Sequence, residues 1–495
     1  MAIEYVPLAT SSAEASEVED LQTTKRRRLG HSTLSRIALP SHLTSRPRLL
    51  YTVVGSLLLV SFFWLVRAKR STGWTEPEPG PNPYFHTGKI WEHNDQVAAR
   101  LDRCASLGLL RNISLPLPSL SADEEAELSA EGCGTAETTV VILASLWFAE
   151  AYSGTSTTGE TIYAQSVIST LNALGYAYVF SSLGWYNDDM KKTTELWHKH
   201  RWNTRVVLAD PEQVKVCWQH RGGQCAKDES FQEGIEVWRL LSFWYWDDSG
   251  NPLGTAFTLS PSPRNENHFL SFSIEPTCHR LPRIHPQDRP KPPQVYLLAK
   301  QMRYLDNSSA FSWTLPALDS LQDEFGVRVV GGIVDDDADA AKALSETGIT
   351  NFGKLDKIEF YEQLARSSVL LGVGRPRISP SPWDALCMGV PFINPILQWD
   401  EEDPFDRSKW HAQQWHMTDI EPPYVYHVHA HDLDELRTTV GEALAHPIES
   451  WIPDYMKFDF ACERTREVIE GDWLDVARGI LEERKARGEG NLFVL

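Results

Sequence analysis

Residues 138–146, TTVVILASL, form a β-branched apolar run bounded by polar positions, the pattern of a strand buried on both faces. A loop rich in Gly, Ser and Thr over 152–159 follows, and then Ala164, Val167, Ile168, Leu171 and Gly175 recur at the spacing of one helix face. Residues 178–182 predict the next strand. Strand, loop, helix and strand with short connections make a βαβ unit and predict a parallel sheet. Beyond Asp189 the pattern weakens until an apolar run at 269–274. The segment HPQDRPKPP, 285–293, reads as a stiff linker, because prolines remove ladder donors and restrict the chain. A second series follows it: strand 294–298, helix 315–323, strand 327–333, helix 357–366, strand 369–372, helix 382–388 and strand 391–393. The expected fold class is α/β, with two doubly wound lobes facing each other across a cleft between strand ends.

A different pattern precedes these lobes. Residues 49–66, LLYTVVGSLLLVSFFWLV, carry no charge and span roughly 27 Å as a helix, close to the hydrocarbon thickness of a bilayer. They read as a transmembrane signal anchor rather than a cleaved signal peptide, because 48 residues lie ahead of them. Lys25, Arg26, Arg27, Arg28, Arg36, Arg46 and Arg48 precede the span, against Arg67, Lys69 and Arg70 beyond it, which favours a cytosolic N-terminus and a type II orientation. The partition is then a cytosolic tail (1–48), the anchor (49–66), a lumenal stem (67–136), a first lobe (137–290) and a second lobe (291–495). The stem rests on a Pro/Gly stretch, EPEPGPNP, and an acidic run, SADEEAELSAEG, separated by one helical stretch over 90–110. In the lumen the sequons at Asn112 and Asn307 are glycosylation acceptors, and the seven cysteines meet an oxidising compartment. At least one cysteine is left unpaired within a monomer, and Cys217 and Cys225 are spaced to close a short loop.

The net charge is -20, yet residues 1–70 hold ten Lys/Arg against five Asp/Glu, so the body is more acidic than the whole. Such a body excludes a nucleic-acid partner.

The richest stretch for chemistry is 371–395, LGVGRPRISPSPWDALCMGVPFINP. A strand ends at Gly-x-Gly, a Pro-rich turn follows, and a short helix begins near Pro382. Gly374 lets backbone approach a ligand, Ser381 and Pro382 open a helix whose free N–H groups suit a diphosphate, and Arg375 and Arg377 add positive charge. Asp384, in the first helical turn, is placed to accept from ribose hydroxyls. The same residues also make an ordinary strand-to-helix turn with a capped helix. Glu160 stands where the 152–159 loop meets the first-lobe helix, and is either a base facing the cleft or a carboxylate complementing the helix dipole. Lys300, just past a second-lobe strand, is a further cation for a diphosphate or a solvated surface charge.

The 371–395 run resembles the donor motif of glycosyltransferase family 18, the α-1,6-mannosylglycoprotein 6-β-N-acetylglucosaminyltransferases. Four further stretches resemble that family in the same order: Gly159-Glu160 with its helix to Leu174-Gly175-Tyr176, Phe269-Leu270-Ser271-Phe272, residues 352–371, and Tyr455 to Glu463. The resemblance implies two Rossmann-like lobes of the GT-B type and residence in the Golgi membrane. It implies a UDP-N-acetylglucosamine donor, a mannose 6-hydroxyl on an N-glycan as acceptor, inversion at the anomeric carbon, and no metal or other cofactor. It assigns the catalytic base to Glu160. It also has departures: the family carries aromatic residues where Arg375 and Arg377 stand, Glu where Ile378 stands and Glu where Asp384 stands, and its cysteine-rich C-terminal extension is missing.

Three other patterns carry rival readings. Asp335-Asp336-Asp337 has the D-x-D spacing of a metal-assisted diphosphate site, or is a solvated loop capping the Ala-rich helix after it. His427, His429 and His431 alternate as zinc ligands on a strand would. The tryptophans of WRLLSFWYW, 238–246, suit either sugar stacking or core packing, and packing is the expectation. No G-x-S-x-G supports a serine nucleophile.

Overall fold

The β-branched runs do pair into parallel sheets. The first sheet contains β1 (Val140–Leu143), β2 (Ala177–Phe180), β3 (Thr204–Ala209), β4 (Leu240–Phe243), β5 (Thr258–Ser260) and β6 (His268–Phe269). Their order is β2-β1-β3-β4-β5-β6, parallel throughout. The second contains β7 (Gln294–Leu298), β8 (Arg328–Gly331), β9 (Thr350–Asn351), β10 (Val369–Gly372), β11 (Phe392–Gln398), β12 (His411–Ala412) and β13 (Val425–His429). Here the order is β12-β11-β10-β7-β8-β9, with β13 parallel to β11 and only β12 antiparallel. Crossover helices cover both faces, so the central strands are fully buried and read as unbroken apolar runs. This computed structural model describes residues 90–495 apart from 111, 113–119, 155, 157, 182–187, 221–222, 306–310 and 335–337. The expected tail and anchor (1–66), Asn307 and Asp335 to Asp337 lie outside the described residues. Among the described residues no helix is long and apolar enough to cross a membrane.

Three helical segments frame the first lobe. Helix α1 (Ile90–Ser106), expected inside a stem, packs on the first sheet instead. The Asn94 carboxamide completes the edge of β2, donating to Phe180 O at 2.7 Å and accepting from Phe180 N at 2.8 Å. The acidic run behind it is the short helix Ala122–Ala130, started by a Ser121/Glu124 capping box, and a Cys104–Cys133 disulfide fastens it to α1. Residues 90–106 and 122–138 therefore belong to folded structure, which Pro, Gly and Glu content alone did not reveal. Helix α2 (Gly159–Leu174) starts from Thr158, whose hydroxyl accepts from Thr161 N.

Of the apolar run at 269–274 only Phe269 is in a strand, His268–Phe269, and Ser271 sits at φ 69°, outside the extended region. Near its C-terminus the chain returns. Helix α5 is reached after α3 (Lys357–Ala365) and α4 (Ser381–Cys387), spans Phe458–Glu470, and is followed by α6 (Trp473–Arg487). It lies along α2, with Thr170 and Thr465 hydroxyls 2.8 Å apart and Tyr176 donating to Glu470 at 2.6 Å. The partition at 290/291 omits this return, which brings residues 458–487 against the first lobe. Cys217–Cys225 closes the short loop as expected, Cys278–Cys387 joins the segment after the first sheet to α4, and Cys462 is the free thiol.

Candidate functional site

The first-lobe half of the site is the start of α2. Gly159 and Glu160 are the first helical residues, placed by the Thr158 cap. Glu160 is half-buried. Burial pushes its carboxyl above the usual glutamate range and nearby Glu150 adds to that, while hydrogen bonds from its own backbone and Thr158, and the Lys300 charge, pull the other way. Lys300 comes from the second lobe, beyond the end of β7, and is exposed. The two residues thus feel each other across the lobes.

The second-lobe half is the turn between β10 and α4. Gly374 takes φ 96°, a region closed to most side chains, Arg375–Pro376 is cis, and Ile378 is held at φ 40°. Two adjacent glutamines, both buried, secure this turn. Gln413 accepts from Gly374 N at 2.8 Å, donates to Pro376 O at 3.0 Å and accepts from Ile378 N through its own carbonyl at 3.0 Å. Gln414 donates to Ser379 O at 3.1 Å. Arg375 and Arg377 are half-buried on this turn, Ser381 is half-buried at the start of α4, and Pro382 and Asp384 are buried behind it. Asp384 accepts from Tyr361 of α3 at 3.4 Å. Burial pushes its carboxyl up to about 7, against the opposing pull of Lys357 and the Tyr361 hydroxyl. A carboxyl that is half-neutral near pH 7 both donates and accepts hydrogen bonds, whereas a fully ionised one only accepts.

The halves meet at Tyr245, just past β4. Its hydroxyl donates to Ile378 O at 2.8 Å, and its ring lies so close to Gly159 that a Cβ there would stand 2.5 Å from Tyr245 Cζ. Beside it, Asp247 is within 3.2 Å of His416 Nε2 and accepts from Asn265 at 2.8 Å. Burial would raise the Asp247 carboxyl, but these partners hold it below the usual range. Glu160, Lys300 and the 374–384 stretch are therefore brought to one interlobe region, whereas Asn112 is exposed after α1 and takes no part. Sequence reading missed Tyr245, Asp247, Gln413, Gln414 and His416. The first lies in the WRLLSFWYW run, whose aromatic density pointed only to packing.

A metal centre has no support in the alternating histidines. His427 is within hydrogen-bonding distance of Asn394 and Ile420 O, and His429 of Glu435 and Pro404 O. Among the described residues no group of three or more His, Cys, Asp or Glu is placed to hold a metal ion.

Comparison with solved structures returns distant likenesses. A sucrose-phosphate synthase from Thermosynechococcus elongatus is 12% identical, covering 71% of this chain and 100% of its own, at a TM-score of 0.38. A UDP-GlcNAc 2-epimerase from Methanocaldococcus jannaschii is 11% identical, covering 67% and 99%, at 0.36. A glycosyltransferase involved in avilamycin A biosynthesis is 11% identical, covering 71% and 98%, at 0.35. No curated protein matches the chain. The family model of glycosyltransferase family 18 matches residues 253–471, a span that starts after Glu160 and Tyr245 and contains Lys300, the 374–379 turn, α4 and α5. Over that span the chain is similar to glycosyltransferase family 18.

Proposed function

We propose that the protein is an inverting transferase that moves N-acetylglucosamine from UDP-N-acetylglucosamine to the 6-hydroxyl of a mannose on an N-glycan, without a metal. The observation that carries this reading is Glu160, a carboxylate raised by burial at the mouth of α2 and opposed by Lys300 from the other lobe. Glu160 takes the proton of the acceptor hydroxyl as that oxygen attacks C1 of the donor sugar, and the C1–O bond to UDP breaks with its electron pair leaving on the diphosphate. A positioned general base of this kind is worth about 10²–10⁴-fold in rate. Arg375, Arg377 and Lys300 are the cations for the departing diphosphate, and Gly374, Ser381, Pro382 and Asp384 shape the donor side. Anchorage by residues 49–66 with the body in the Golgi lumen completes the proposal, with Asn112 and Asn307 as glycosylation acceptors.

A second reading keeps the fold and changes the sugar. It is favoured by Ile378, which is buried and offers no carboxylate at a turn where the family resemblance expects Glu.

UDP release by the full chain in detergent, with UDP-N-acetylglucosamine and a mannose-terminated N-glycan in EDTA, tests both readings. The expected result is turnover that Glu160→Gln reduces by about a hundredfold or more. Turnover only with another nucleotide sugar selects the second reading. Glycan binding with no turnover from any donor removes the enzyme, and activity restored only by manganese moves the site to Asp335 to Asp337.

A further inference from the structure

We propose that Tyr245 is a positioning residue that holds the Glu160 turn in register with the 374–379 turn, and so fixes the separation of base and donor. The inference rests on the reading of Glu160 as the base.

Four observations carry it. The ring is buried at 4% exposure and wedged between Tyr163, Trp246 and His416, at centroid distances of 6.3, 6.2 and 6.4 Å. On one side it presses on Gly159, where an added Cβ would stand 2.5 Å from Cζ and 2.6 Å from the hydroxyl oxygen. On the other side its hydroxyl donates to Ile378 O at 2.8 Å. Ile378 itself has little freedom, with φ at 40° and its N–H held by Gln413 O at 3.0 Å.

Tyr245 cannot swing away, because the segment around it is fixed too. Two residues on, Asp247 meets His416 at 3.2 Å and Asn265 at 2.8 Å. Burial also pushes the Tyr245 hydroxyl well above its ordinary value, so it stays protonated and donating at any working pH. One rigid side chain thus touches the residue next to the base and the turn that carries Arg375 and Arg377. A displacement of about 1 Å between reacting groups is enough to cost about a hundredfold in rate, so a strut of this kind acts on kcat more than on binding.

The test compares the full chain with Tyr245→Phe, Gly159→Ala, the double variant and Glu160→Gln, using UDP-N-acetylglucosamine and a mannose-terminated N-glycan. Tyr245→Phe keeps the ring and loses only the bond to Ile378. The expected result is a fall in kcat of about tenfold or more, a donor KM within about threefold of the parent and a melting temperature within a few degrees. Gly159→Ala perturbs the same contact from the opposite side, so its loss in kcat combines with that of Tyr245→Phe to less than their product. Unchanged kcat in Tyr245→Phe overturns the inference. So does a loss that appears equally in donor KM and in melting temperature, or one that multiplies fully with Gly159→Ala. Full activity in Glu160→Gln, or a parent without turnover, removes the underlying reading and the inference with it.

Discussion

Cys278 and Cys387 form a disulfide across 109 positions of sequence, tying α4 to the segment that leaves the first sheet. Both sulfurs are buried, Cys278 at 1% and Cys387 at 0% exposure. Close by, Arg289 donates to Met388 O at 3.2 Å and Gly389 O at 2.7 Å, capping the same end of α4. The helix behind the 374–379 turn is thus held covalently and by hydrogen bonds to residues that precede the second sheet.

A crosslink that closes so long a loop removes much chain entropy from the unfolded state. Loss of the bridge in a Cys278→Ser, Cys387→Ser double variant is expected to cost about 2–5 kcal/mol. The midpoint of denaturant unfolding measures it, against Cys217→Ser, Cys225→Ser, whose loop is shorter at 8 positions. If the two double variants lose equal stability, loop length is not what sets the contribution of the Cys278–Cys387 bridge.

The environment of Glu160 predicts a pH profile. Its base form is the carboxylate, and burial raises its proton affinity, so the acid limb of kcat/KM lies above the range of an ordinary glutamate. Lys300 pulls in the opposite sense, so Lys300→Met moves that limb to still higher pH. A limb at the ordinary value, or one that Lys300→Met leaves in place, means that another group titrates.

Local pattern announced some elements to the residue. The runs at 294–298 and 369–372 are strands with those limits, and the helix expected at 382–388 starts one residue earlier. Fully buried parallel strands show as unbroken apolar runs and can be read alone. The strands Thr204–Ala209, Leu240–Phe243 and Thr258–Ser260 were missed, because Arg205, Ser242, Thr258 and Ser260 break up their short apolar stretches. Glu160 was singled out by the family resemblance of its Gly-Glu pair, and it stands in the first turn of α2. Tyr245 was not, because its role depends on a carbonyl 133 positions away. Gln413 and Gln414 are equally silent: neutral amides have no sequence signature until the turn they brace is seen. The return of α5 to α2 was hidden for the same reason, as an amphipathic helix does not declare which face it will cover.

Burial of Asp384 makes stability depend on pH. Its carboxyl is raised to about 7 in the folded protein against 3.8 in the reference state, so between about pH 4 and pH 7 the unfolded chain has lost a proton that the native one keeps. Stability from this group is therefore full below about pH 4 and falls as pH rises through about 7. Asp384→Asn removes the titration and keeps the shape, so its melting temperature relative to the parent should climb across that interval. A difference independent of pH would show that Asp384 is ionised in the native protein.

Arg205 ties the end of α5 to the first sheet. It lies in β3, 2% exposed, and its guanidinium donates to Ile469 O at 2.7 Å, Glu470 O at 2.9 Å and Gly471 O at 3.3 Å. These are the carbonyls that end α5, which no further helical turn satisfies and where positive charge is favoured. Burial lowers the guanidinium to about 10, so it remains charged at neutral pH. Arg205→Met fills much of the same space and leaves those carbonyls without their donor, at an expected cost of about 2–4 kcal/mol. Lysine supplies charge but not the planar fork, so Arg205→Lys should recover only part of the loss. Because α5 touches α2 through Thr465 and Thr170, loosening it also frees the helix whose first turn holds Glu160. Amide hydrogen exchange in Arg205→Met should then accelerate across residues 458–487 and along 159–174 together. Acceleration confined to 458–487, with turnover unchanged, would mean that the returning helices only cover the lobe and do not steady the start of α2.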